Sequence, residues 1–161
     1  MTDDHQWMVA GLHNMIQVFT FNESLNEFTL NETIDNISGV VRHISLTNDH
    51  SFMAVSTESD YVYIYNHNGS VFVQKQRLRE NSKNGERAFL SDDHQNLLVS
   101  ADKEDWLFGD YCYVYSYRYN STSGKFYKKT TYTFRNTYSN YVSISTDEYF
   151  MAFSGNNETM V

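Results

Sequence analysis

At 161 residues the chain is long enough for one sizeable core, and its net charge of −8 excludes the basic stripe of a nucleic-acid binder. No apolar run approaches the roughly 20 residues that a membrane helix needs, so no membrane insertion is expected, and no signal peptide opens the sequence. The single cysteine, Cys112, leaves no internal disulfide to form; within Tyr111-Cys112-Tyr113-Val114-Tyr115 it reads as a packed thiol.

The sequence opens on a segment that is written four times. Thr2-Asp3-Asp4-His5-Gln6-Trp7-Met8-Val9-Ala10-Gly11 returns as Thr47-Asn48-Asp49-His50-Ser51-Phe52-Met53-Ala54-Val55-Ser56, then from Ser91 to Ser100, then from Ser145 to Ser154. The aspartates Asp4, Asp49, Asp93 and Asp147 lie 45, 44 and 54 residues apart, the rhythm of an array of one supersecondary unit. The units run approximately over 1–38, 39–84, 85–138 and 139–161.

In the first unit an apolar strand from Trp7 is followed by Val18-Phe19-Thr20-Phe21 and by a strand carrying Phe28. The second unit is the clearest. Residues 41–46 alternate, placing Arg42, Ile44 and Leu46 on one face. Asn48-Asp49-His50 is turn chemistry, and Phe52 to Ser56 is the short apolar run of a strand buried on both sides. Tyr61-Val62-Tyr63-Ile64-Tyr65 is aromatic and β-branched, Asn68-Gly69 suits a hairpin, and Val71 to Leu78 is a wetter outer strand. The third unit repeats the order through Ala88/Leu90, Val114-Tyr115-Ser116-Tyr117 and Phe126, and the fourth begins it with Val142/Ile144. No long window carries a 3.6-residue stripe. The count expected is three, four, four and two strands, thirteen in all.

Four antiparallel strands repeated at this length resemble a β-propeller blade. The Gly-His and Trp-Asp marks of the WD-repeat family are missing. Tyr138-Ser139-Asn140-Tyr141-Val142-Ser143-Ile144-Ser145 and Val62-Tyr63-Ile64-Tyr65 are similar to the FG-GAP family of integrin α-subunits, although Val99-Ser100-Ala101 stands where that family has Gly-Ala-Pro. The expectation is an all-β fold of about three blades plus a partial one, belonging to a longer propeller; a self-closing oligomer or an open array are the alternatives.

Six N-glycosylation triplets begin at Asn22, Asn31, Asn36, Asn68, Asn120 and Asn157, against about three expected by chance. Asn22, Asn68 and Asn120 fall at the turn between third and fourth strands of successive units, so N-linked glycans there would coat one rim. Asparagine also suits hairpin turns for backbone reasons alone.

After its second strand the third unit carries an enlarged loop. There Asp102, Glu104, Asp105 and Asp110 could supply oxygen ligands to Ca²⁺, as FG-GAP resemblance implies, but without alternating Asp-x-Asp-x-Asp-Gly spacing. Trp106, Leu107 and Phe108 could anchor a partner protein, or pack over the blade. His5, His50 and His94 share one turn and read as local turn residues rather than a metal ring. No other cofactor is indicated. With no phosphate-cradling Gly-rich loop, Gly-x-Ser-x-Gly or His-Glu-x-x-His, no enzyme is expected. The reading is a binding or structural module of an extracellular or cell-surface glycoprotein that engages a protein partner or copies of itself. A cytoplasmic WD-repeat-like scaffold is the alternative.

Overall fold

Alternation of side chains across a pleated strand, broken every few residues by Asn, Asp, Ser and Gly, leaves this chain only hairpins to form. The computed structural model describes residues 6–79, 84–103, 111–135, 139–145, 151–155 and 159–160, and among them every regular element is a strand. The first sheet holds β1 (Trp7–Gly11), β2 (Ile16–Asn22) and β3 (Glu27–Ile34). The second holds β4 (Val41–Leu46), β5 (Phe52–Thr57), β6 (Tyr61–His67) and β7 (Phe72–Arg79). The third holds β8 (Asn84–Leu90), β9 (Asn96–Lys103), β10 (Tyr111–Asn120) and β11 (Lys125–Arg135). The last holds β12 (Ser139–Ile144), β13 (Met151–Gly155) and β14 (Thr159–Met160). Each is an antiparallel meander in chain order. Among the described residues there are fourteen strands against the thirteen expected, because β14 pairs with Phe153 and Ser154 over a length too short to show alternation.

Successive sheets pack face to face. Ile16 and Val18 of the first meet Met53, Val55, Tyr63 and Tyr65 of the second. Ala54, Val62 and Ile64 of the second meet Leu97, Val99, Tyr115 and Tyr117 of the third. Leu98, Cys112 and Val114 of the third meet Val142 of the fourth. This double cover explains why all six residues of β5 are buried: odd positions face one neighbour and even positions the other. Each fully buried Val, Leu or Phe side chain contributes roughly 1.5–3 kcal/mol. Outer strands are wetter; β7 exposes most of its side chains beyond Phe72.

One departure from simple alternation recurs. Val41 pairs with Thr57 and His43 with Ser56, so Arg42 is an extra residue in a bulge. The same skip occurs at Glu86 and at Asn140. Arg42 therefore does not share the face of Ile44 and Leu46, as alternation suggested; it points to solvent and pairs with Glu58 at 2.7 Å. Outer strands bulge in register as well, at Asn31, Lys75 and Lys129. The repeat is thus kept in its irregularities as well as its apolar residues. The fold is an incomplete β-propeller built of open antiparallel blades.

Candidate functional site

In the second and third sheets the first and third hairpins come out at one end, and the β2–β3 turn of the first sheet is equivalent to their third, so these turns form a common rim. The turn before β5 is held by side chains. Thr47 Oγ1 donates to Asp49 (2.7 Å) and accepts from the Phe52 amide (3.1 Å), while Asp49 Oδ1 also accepts from the Ser51 amide (3.0 Å). Before β9, Ser91, Asp93 and Gln95 repeat this arrangement at 2.6 and 2.9 Å. Such wrapping forces the following residue into the left-handed region: His50 has φ +60° and His94 φ +50°. Burial alone would raise the Asp49 carboxyl, but the bonds from Thr47 and Ser51 and the charge of His94 outweigh it and hold it below the ordinary carboxylate range.

The two histidines do more than turn the chain. Trp7, at the head of β1, stacks on His50 (5.0 Å between centroids, 25°) and meets His67 and Phe72 edge-on. Phe52, at the head of β5, stacks on His94 (4.9 Å, 21°) and meets Tyr119 and Phe126 edge-on. A ring from one blade is therefore caged by the rim of the next, twice over, in geometries aromatic quadrupoles favour. Outer strands repeat the theme. Glu32 Oε2 accepts from the Phe72 amide at 2.9 Å, and Gln76 accepts from the Phe126 amide at 2.8 Å. From sequence alone the histidines read as local turn residues. The signal in the sequence for their pairing is Trp7 and Phe52, which stand in equivalent positions one unit ahead of His50 and His94.

The turn asparagines lie on the same rim. Asn22 Oδ1 accepts from the amides of Ser24 and Leu25, Asn68 Oδ1 from Ser70 and Val71, and Asn120 Oδ1 from Ser123. Asn68 and Asn120 are exposed, Asn22 half-buried, and none of these bonds uses the amide nitrogen to which a glycan attaches. Asn31 is exposed at the bulge of β3, and Asn36 is exposed with φ +67°. Asp102 is buried within β9, opposite Cys112. Asn157, Glu104, Asp105, Asp110, Trp106, Leu107 and Phe108 lie outside the described residues. The structure thus sets the three turn asparagines, His50 and His94 on one rim; of the acidic set only Asp102 is among the described residues, and His5 lies outside them.

A concave region of about 250 Å³ follows the first strands and is lined by His43, Ser45, Phe89 and Tyr141, among others. His43 donates from Nδ1 to the Ala88 carbonyl at 2.8 Å, and Ser45 Oγ accepts from the Leu90 amide at 3.0 Å. Burial lowers the His43 pKa, the Ala88 bond opposes this and the Arg87 charge adds to it, so the ring is a neutral donor at physiological pH. Both bonds join the inner strands of two blades.

No protein-family model and no curated protein matches the chain. Solved structures do. A protein from Lactobacillus plantarum aligns with 96% of the chain at 16% identity and a TM-score of 0.73, over 49% of its own length. The "putative 6-phosphogluconolactonase" of Bacteroides fragilis aligns with 94% at 16% identity and 0.69, over 45% of its length. Sqt1 of Saccharomyces cerevisiae aligns with 95% at 13% identity and 0.72, over 40% of its length. The chain therefore spans less than half of each of these structures. At such identities the likeness is one of fold, a propeller, and it does not single out the FG-GAP subfamily. It also corrects the expectation that the chain is no enzyme, since a candidate lactonase is among the structures sharing its fold. That expectation rested on contiguous motifs, whereas a propeller can gather reacting groups from separate blades, with no linear signature.

Proposed function

We propose that this chain is the protein-binding part of a larger propeller, displayed on a surface or secreted glycoprotein, with its hairpin rim carrying N-linked glycans and its opposite rim left open to a protein partner. One observation carries the reading: Asn22, Asn68 and Asn120 recur at the same turn of three successive blades. Glycans on one rim would direct partners to the other, where Leu12 lies 44% exposed between β1 and β2. Tyrosine-rich blades suit such a role, because tyrosine gives wide contact area at small entropic cost.

A second reading, an intracellular scaffold subunit, is favoured by the use of all three side-chain oxygens in the turns. That geometry accounts for asparagine without any glycan. One experiment separates the two. Intact-glycopeptide mass spectrometry of protein from its native source is expected to find hexosamine on Asn68 and Asn120. Unmodified asparagine at both positions would overturn the glycoprotein reading in favour of the scaffold.

A further inference from the structure

The joint between blades has a repeated chemistry, and the outward face of the first sheet carries one half of it. By register, Met8, Ala10, Gln17, Phe19, Phe21 and Phe28 are the counterparts of Met53, Val55, Tyr63, Tyr65, His67 and Phe72. In the second sheet the five of these other than His67 are at most 5% exposed, because the first sheet covers them. In the first sheet all six are half-buried and belong to none of the three cores. The rim is preformed there: Phe21 and Phe28 meet edge-on at 5.3 Å, and the Phe21 amide donates to the Gln6 carbonyl at 2.8 Å. His67 donates to Ser51 and Tyr119 to Gln95 in the same manner.

We infer that this face receives a complete four-stranded propeller blade, which offers an aromatic ring at the head of its second strand and a carboxylate or carboxamide in its fourth. The ring would enter the Phe21–Phe28 corner as Trp7 and Phe52 enter theirs. The acceptor would take the Phe28 amide, as Glu32 and Gln76 take those of Phe72 and Phe126. A second copy of this chain fits poorly. Its Trp7 and Phe52 faces are already covered by its own second and third sheets. The inference rests on the reading of the chain as part of a larger propeller. It specifies which face is completed and by what.

The test adds the blade. Residues 39–90, placed directly ahead of Thr2, supply a second copy of the Phe52 and Gln76 face together with a first strand for the opening sheet. Amide hydrogen exchange on this chimaera is expected to show the Phe28 amide slowed about tenfold relative to the unmodified chain. Gln76→Leu in the added copy should abolish that slowing and leave the other amides protected. In the unmodified chain, the Phe28 amide should exchange about tenfold faster than those of Phe72 and Phe126, and the chain should sediment as a monomer. A folded chimaera with Phe28 unslowed, equal protection of the three amides in the unmodified chain, or a dimer that already protects Phe28 would each overturn the proposal. The glycan assignment would stand or fall separately, on mass spectrometry.

Discussion

Phe52→Ala is expected to lower the free energy of unfolding by about 3–5 kcal/mol, among the largest effects of any single truncation in the chain. Phe52 is 8% exposed and joins three rings of the neighbouring blade, so alanine leaves a cavity whose walls come from two sheets. Those walls are strands pinned by their own ladders and by the Gln76–Phe126 bonds, which limits how far the site can collapse. Urea titration of the variant measures the loss. Leu30→Ala, on a side chain 53% exposed, should stay within about 0.5 kcal/mol and serves as the control. Equal, small losses for both would mean that the ring does not bridge two blades.

Gly39→Ala is the second large expectation, about 2–4 kcal/mol. Gly39 sits where the chain passes from the first blade to the second, with φ +82°, a conformation that disfavours any side chain. An added Cβ would also meet the Ser59 side chain, its Cβ at 3.0 Å and its backbone nitrogen at 3.1 Å. The Ser59 hydroxyl can rotate away; the backbone nitrogen cannot. Gly69→Ala isolates the conformational part, because Gly69 has φ +94° with nothing within 4 Å of the added carbon, and should lose only about 1 kcal/mol. If the two variants lose the same amount, the contact with Ser59 is not as tight as the structure has it.

Much of the fold was legible because repetition averages out local ambiguity. Phe52 to Ser56 alone could have been part of a buried helix. With Met53 in phase with Met8, Leu97 and Met151, and bounded by the same Asp-containing turn, it had to be a strand with sheets on both sides. What stayed hidden were features without a linear signature. The bulge at Arg42 depends on a ladder with the neighbouring strand, so alternation placed that side chain on the wrong face. The pairing of Trp7 with His50 and of Phe52 with His94 joins residues more than forty positions apart, and only stacking the units reveals it. β14 was too short to carry a period. The asparagines at 22, 68 and 120 serve turn formation through their side-chain oxygens, a use the triplet pattern does not display.

A ring at the head of one blade's second strand stacks on a histidine of the next blade, and this joint recurs. Nuclear Overhauser spectroscopy on the intact chain tests it most directly. Cross-peaks are expected between the Trp7 indole and the His50 imidazole, and between the Phe52 ring and the His94 imidazole, whose centroids lie 5.0 and 4.9 Å apart. Folded protein that shows neither pair, or places Trp7 and Phe52 against residues of their own sheets, would contradict it.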